Sequence, residues 1–278
     1  MKSILAITLS LLWALPTWAN DSTQCRVNFS AQWWPQKMVS AFTADARAHR
    51  LQLLKTTKGP EYYCSMGGQF PIVNLKVFNK TLQISTAAST YLTLARYVHR
   101  GQVINVDFFV DFLFDLELSK TWYLRGGFGH TSQHLADDAV LSGTVAKNYV
   151  KDYGLFHSIH KLAKNKLTLY EGIYYFDNFK IGDSVPLDWS KKIMLQVGGE
   201  YQFLKLSTQS FLYTAADVKF RQEFNLGTTQ NIQLGYVSQT TTQRKFRFAY
   251  NFLSGYEERG NFYHQQTKIH TLGAYFEF

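Results

Sequence analysis

Between Trp122 and Val140 the sequence reads WYLRGGFGHTSQHLADDAV, and the residues able to do chemistry concentrate there. His130 and Ser132 stand two apart, His134 follows two further on, and Asp137 and Asp138 close the run. A histidine beside a serine hydroxyl can act as general base for acyl transfer when a third polar group orients the imidazole. The same cluster admits two other readings. It could be a hydrogen-bonded cap that fixes the base of a long loop, or a metal or lipid-headgroup site built on two histidines and a carboxylate.

Which reading applies depends on the element that carries these residues. Read as a strand, the run places Trp122, Leu124, Gly126, Phe128, His130 and Ser132 on one face. Tyr123, Arg125, Gly127, Gly129 and Thr131 take the other, because successive side chains of a strand alternate. If the apolar face meets lipid, Arg125 belongs inside, since a charged residue facing lipid at mid-bilayer costs about 2–4 kcal/mol. His130 and Ser132 are then expected to point outward, at the loop end of the strand and near the outer-leaflet interface.

The same alternation recurs along the chain. Over 106–118, Val106, Phe108, Val110, Phe112, Phe114, Leu116 and Leu118 share one face, and Asp107, Asp111, Asp115 and Glu117 lie opposite. That run exceeds the 9–11 residues that cross a bilayer as a tilted strand. Segments 193–203 and 245–252 repeat it. The final strand puts Leu272, Ala274, Phe276 and Phe278 on one face and ends the sequence on Phe278. Such an ending resembles the C-terminal signature of Gram-negative outer-membrane proteins, read by the barrel assembly machinery. Strands are expected near 47–56, 70–87, 90–99, 104–118, 121–132, 148–160, 166–177, 193–203, 208–220, 230–239, 243–253 and 267–278. Tight connections alternate with longer ones at 133–147, 178–191 and 254–266, as in barrels with short periplasmic turns and long outer loops. The expected fold is all-β, a transmembrane antiparallel β-barrel of about 12 strands forming one domain over 20–278.

Composition agrees. The chain has 278 residues, is 16% aromatic and only 18% charged, and its N-terminus reads as a signal peptide. Lys2 precedes the apolar run Ile4 to Leu15, and Thr17-Trp18-Ala19 is a small-residue cleavage site, which places the mature start after residue 19. The formal charge of +9 is scattered with no run longer than Lys191-Lys192, so a nucleic-acid footprint is not expected. Cys25 and Cys64, the only cysteines, could form one bridge in an oxidising compartment.

Two resemblances bear on function. His130-Thr131-Ser132 is similar to the His-x-Ser pair that outer-membrane phospholipase A, a twelve-stranded barrel, carries on its lipid-facing surface. There an Asn on the following strand completes the site, which implies catalytic roles here for His130, Ser132 and Asn148, with Asp152 further along the same strand. A broader resemblance is to a Gram-negative, presumed outer-membrane family catalogued as a domain of unknown function (number twelve hundred and seven). Its pieces occur in order as Asp107-Phe108, Arg125 through His130 to Asp137, Asn148-Tyr149, Gly198–Tyr201, Ala215–Lys219 and the aromatic stretch 250–263. Gln133 and Ala136 depart from its pattern. This resemblance implies fold and location, and no activity.

Two functions follow as expectations. One is a structural or small-solute channel barrel, with Asp107, Asp111, Asp115, Glu117, Glu171 and Glu200 facing Arg125, Lys245 and Arg247 across the lumen. In a barrel this narrow, facing charges tend to pair and fill the bore. The other is an outer-leaflet lipid acyl hydrolase using Ser132 and His130. Expected partners are outer-membrane lipids, lipopolysaccharide and the assembly machinery, and no cofactor is named by the sequence.

Overall fold

The computed structural model describes residues 29–58, 61–77, 79–97, 100–144, 149–181, 191–240, 244–258 and 260–278. The expected signal peptide, Cys25 and Asn148 lie outside the described residues. The elements run β1 (Phe29–Trp33), β2 (Leu51–Thr56), β3 (Glu61–Val77), β4 (Lys80–Tyr97), β5 (Arg100–Ser119) and β6 (Trp122–Leu135). A short helix α1 (Asp137–Leu141) precedes β7 (Tyr149–Leu162), β8 (Leu167–Ile181), β9 (Ile193–Lys205), β10 (Ser210–Arg221), β11 (Gly227–Gln239), β12 (Lys245–Tyr256) and β13 (Gln266–Glu277).

Neighbouring strands pair antiparallel, and the sheet closes where β13 meets β2, with Phe276 opposite Leu51 and Thr271 opposite Thr56. The result is a closed barrel of twelve strands, β2 to β13. Closure removes the unpaired edges that an open sheet would leave. Alternation sets the two faces as the sequence predicts. On β5, Phe108, Val110, Phe112 and Phe114 are exposed outside, whereas Phe109, Asp111, Leu113 and Asp115 are buried inside. The long β6–β7, β8–β9 and β12–β13 connections share one end with the short β2–β3, β4–β5 and β10–β11 connections, and the turns between wall strands at the other end are all short.

The N-terminal third differs from the expected strands. The run 70–87 is not one strand; it crosses the turn between β3 and β4, which begins only three residues after β3 ends and pairs back on it with Lys80 opposite Val77. The strand expected at 47–56 begins only at Leu51. β1 is an additional strand, and it lies against the same side of β3 as β2. Trp33 pairs with Val73 and Gln52 with Ser65, so β1 and β2 act as two pieces of one wall strand. Between them, residues 34–50 leave the wall and fill the lumen. Val39, Phe42, Thr43, Ala44, Asp45, Ala46, Ala48 and Arg50 are all buried there.

Candidate active site

His130 and Ser132 both project from the outer face of β6, as the alternation predicts. His130 is exposed and Ser132 half-buried, while their strand neighbours Thr131 and Gln133 are buried in the lumen. Across the wall His130 sits opposite Val110 of β5 and Asp152 of β7, and Ser132 opposite Phe108 and Val150. The direct cross-strand pairing brings His130 Nδ1 to 2.6 Å from Asp152 Oδ1. Directly opposed residues are the pairs that interact most closely in a sheet.

This pairing has a chemical consequence. An imidazole whose Nδ1–H donates to a carboxylate is held in the tautomer that leaves Nε2 with its lone pair free. With Nδ1–H donating to Asp152, His130 can serve as a base oriented by that carboxylate. Among the described residues no hydrogen bond reaches the Ser132 hydroxyl, which leaves it free to turn toward Nε2. Catalytic hydrogen bonds are commonly long without substrate and tighten on binding.

A groove of about 420 Å³ opens on the outer wall below this pair, walled by Val110, Phe112 and Phe128 and floored at Gly154. A side chain at Gly154 would meet only the Gly127 carbonyl, at 3.9 Å, and one at neighbouring Gly126 would meet nothing within 4 Å. The two glycines therefore recess the wall between aromatic ridges. At the groove rim the β7–β8 register shifts at Asp152/Tyr153, which leaves Asp177 as an exposed extra residue. Such bulges re-aim side chains and are frequent beside active sites. Lys192 Nζ donates to the Asp177 main-chain oxygen at 2.9 Å, which adds a positive charge to the rim.

The remaining expected residues are not gathered at this site. His134 lies on the outer face against the Phe108 ring, 5.9 Å between centroids. Asp137 and Asp138 occupy the first turn of α1, where negative charge suits a helix N-terminus. Among the described residues none of these three side chains makes a hydrogen bond. The loop base is held instead by main-chain bonds, such as Ala136 N to Ile104 O at 3.0 Å. Nor do three His, Cys, Asp or Glu side chains converge as metal ligands among the described residues.

Arg125, Asp107 and Asp111 are buried in the lumen, away from the outer site. Arg125 donates to both oxygens of Asp115, at 2.7 and 2.9 Å, and to the Val39 carbonyl at 3.0 Å. Asp111 accepts from Tyr153 at 2.6 Å and pairs with His49 at 3.0 Å. Asn105 donates to Asp107 at 3.1 Å. Arg247 pairs with Glu277 at 2.6 Å.

Glu171 corrects the expected inward set. Tyr170 is buried inside, so its neighbour Glu171 points outward, where His160 Nε2 lies 3.6 Å away. The expectation failed because Glu171 was assigned by its charge and not by the phase of β8. The same histidine nitrogen also meets Ser158 Oγ at 2.9 Å, and Trp122 Nε1 donates to Ser158 at 3.1 Å. With both partners on one nitrogen, His160 cannot carry a proton between them. The cluster has the composition of an aromatic interface belt near the short-turn end.

What sequence reasoning did not select was Asp152 as the partner of His130. The signal was available, because Val150, Asp152, Gly154 and Phe156 form the outward phase of β7 and put one carboxylate beside the His/Ser pair.

The fold is shared with outer-membrane barrels. It is similar to the outer membrane phospholipase dimer with bound calcium from Salmonella typhi, with 13% identity and a TM-score of 0.51 over 82% of this chain and 89% of that one. It is also similar to outer membrane phospholipase A from Escherichia coli, with 12% identity and a TM-score of 0.49 over 82% and 88%. OprD from Pseudomonas aeruginosa aligns at 9% identity and a TM-score of 0.32 over 89% and 76%. At such identities the likeness shows the fold alone. No family model and no curated protein matches the chain.

Proposed function

We propose that this chain is an exported outer-membrane enzyme, released from its signal peptide after Ala19, that hydrolyses acyl esters of lipids in the outer leaflet. The observation that carries the reading is the His130–Asp152 pair at 2.6 Å, held with Ser132 on the outward wall above an apolar groove. A hydrolase for soluble esters has no reason to place its nucleophile among exposed Phe108, Phe112 and Phe128. One for lipids does, because its substrate already lies against that wall.

In this mechanism the Ser132 oxygen attacks the ester carbonyl carbon while His130 Nε2 accepts the hydroxyl proton. Asp152 stabilises the resulting imidazolium. Collapse of the tetrahedral intermediate expels the alcohol, which takes the proton back from His130, and leaves an acyl-serine. Water activated by His130 then releases the fatty acid and restores Ser132. Lipid and lipopolysaccharide are the partners in this reading, and the assembly machinery inserts the barrel. The filled lumen argues against the alternative of a standing small-solute channel.

The test is fatty-acid release from phospholipid or lipopolysaccharide vesicles by the refolded protein, with calcium present. Activity abolished by Ser132→Ala supports the reading. Full activity in that variant, or none in the unaltered protein, removes it.

A further inference from the structure

Independently of the outer site, the mouth of the lumen at the short-turn end gathers cations that neither acyl transfer nor packing requires. We infer that this mouth is a binding site for a soluble phosphate monoester, gripped by Lys37, Lys161 and Lys245.

The first support is uncompensated charge. A cavity of about 220 Å³ opens at that end, with Lys37 of segment 34–50, Lys161 of β7 and Lys245 of β12 on its walls beside Glu200, Thr168 and Gln202. All three lysines are half-buried. Lys161 Nζ donates to the Met38 carbonyl at 3.0 Å, and among the described residues no carboxylate lies within ion-pair distance of any of the three. The carboxylates whose charge reaches them are Glu200, Glu277 and Asp115. Each is already engaged, because Thr43 donates to Glu200, Arg247 to Glu277 and Arg125 to Asp115.

The rest of the lumen is built otherwise. Arg125, Lys151, Lys219 and Arg247 are buried, and each pairs with a carboxylate, Asp115, Glu223, Asp45 and Glu277 in turn. Taking a charge out of water is unfavourable unless an opposite charge offsets it. At the mouth the balance is worse still, because Lys245 stands near enough to Lys37 and Lys161 to repel both. Three lysines against the one glutamate leave a surplus of two positive charges. An anion seated among them offsets both the burial and the repulsion.

The size of the surplus selects the ligand. A phosphate monoester carries a charge of about −1.5 to −2 at neutral pH and three strong acceptor oxygens, whereas the diester of a phospholipid headgroup bears a single phosphate charge. Lysine ammonium groups serve phosphate as point charges, and the Thr168 hydroxyl and Gln202 amide stand beside them as neutral donors. The site faces water and not lipid. Lys161, Lys245 and Thr168 share the inward phase of Ile159, Arg247 and Tyr170 on their strands. The approach has the same sign. The connections 78–79, 120–121, 163–166, 206–209 and 240–244 at this end contain no aspartate or glutamate. Lys80, Lys120, Lys164, Lys166, Lys205 and Arg244 are exposed in or beside them. A rim of one sign raises the local concentration and association rate of an ion of the other.

The test is calorimetric titration of glycerophosphate into the folded barrel in a nonionic detergent at low salt. Saturable binding that weakens as salt rises is expected. Lys245→Gln should bind about tenfold or more weakly, the effect of losing one charge-assisted contact. Lys120→Gln, on the rim but outside the cavity, should stay within a few-fold of the unaltered protein. Should Lys245→Gln lack the heat-dependent gel shift of a folded barrel, Lys37→Gln, which removes no wall residue, gives the same measurement. No saturable binding by the unaltered protein, or equal binding by a folded pocket variant, overturns the inference. A second arm adds phosphatidylglycerol to the detergent micelles. Glycerophosphate binding that is undisturbed supports a soluble monoester, and its displacement assigns the lysines to a lipid headgroup and overturns the inference.

Discussion

At the scale of single residues, the outer site rests on the phase of two adjacent strands. His130 and Asp152 face each other because each lies on the outward phase of its strand and the register sets them opposite. Asp152→Asn keeps the hydrogen bond but favours the wrong tautomer, so kcat should fall on the order of 10³–10⁴-fold with the barrel intact, measured by fatty-acid release. Gly154→Leu tests the groove. Its side chain enters open space, so folding should be unaffected while lipid hydrolysis falls at least about tenfold, the reach of a misplaced substrate. Unchanged hydrolysis by that variant would show that the groove does not receive the substrate.

At the scale of elements, the barrel interior depends on paired charges. Lys219 bridges Asp45 of the lumen-filling segment 34–50 and Glu258 of a long loop, at 2.6 and 2.7 Å. Lys219→Met leaves both carboxylates buried without that cation, a change that costs about 3–5 kcal/mol, read from urea unfolding in lipid. At the long-loop end, the short turn after β10 carries Glu223. Burial alone would raise its pKa, but Lys151 and Arg221 beside it outweigh burial and hold it below the ordinary value of 4.5. Its folded value being depressed, the stability it lends is complete above the unfolded value and is lost as pH falls through the folded one. Glu223→Gln should therefore flatten the acid side of the stability profile, measured by unfolding midpoints across that range, and leave the neutral side parallel to the unaltered chain.

At the scale of the whole molecule, one wall serves two solvents. The outer face presents rings such as Phe112, Phe128 and Phe248, and the inner face presents Asp, Gln, Asn and Lys. The protein should stay with membranes through high salt and alkaline washing and leave only with detergent; release without detergent would remove the membrane reading. Much of this was legible in the sequence. The outward placement of His130 and Ser132, the inward placement of Arg125, and most strands from β5 onward follow from alternation. The N-terminal third was not legible, because 34–50 has no period and β4 begins only three residues after β3 ends, too short a connection to stand out.

The difference between the two kinds of feature is physical. Which face a residue takes is local, set by the two-residue repeat of an extended chain, so the sequence alone determined the barrel class and the direction of each side chain in its regular strands. Who sits opposite whom is not local. It depends on register, on the bulge at Asp177 and on closure of the barrel, so only the tertiary structure chose Asp152 as the partner of His130 and drew residues 34–50 into the lumen.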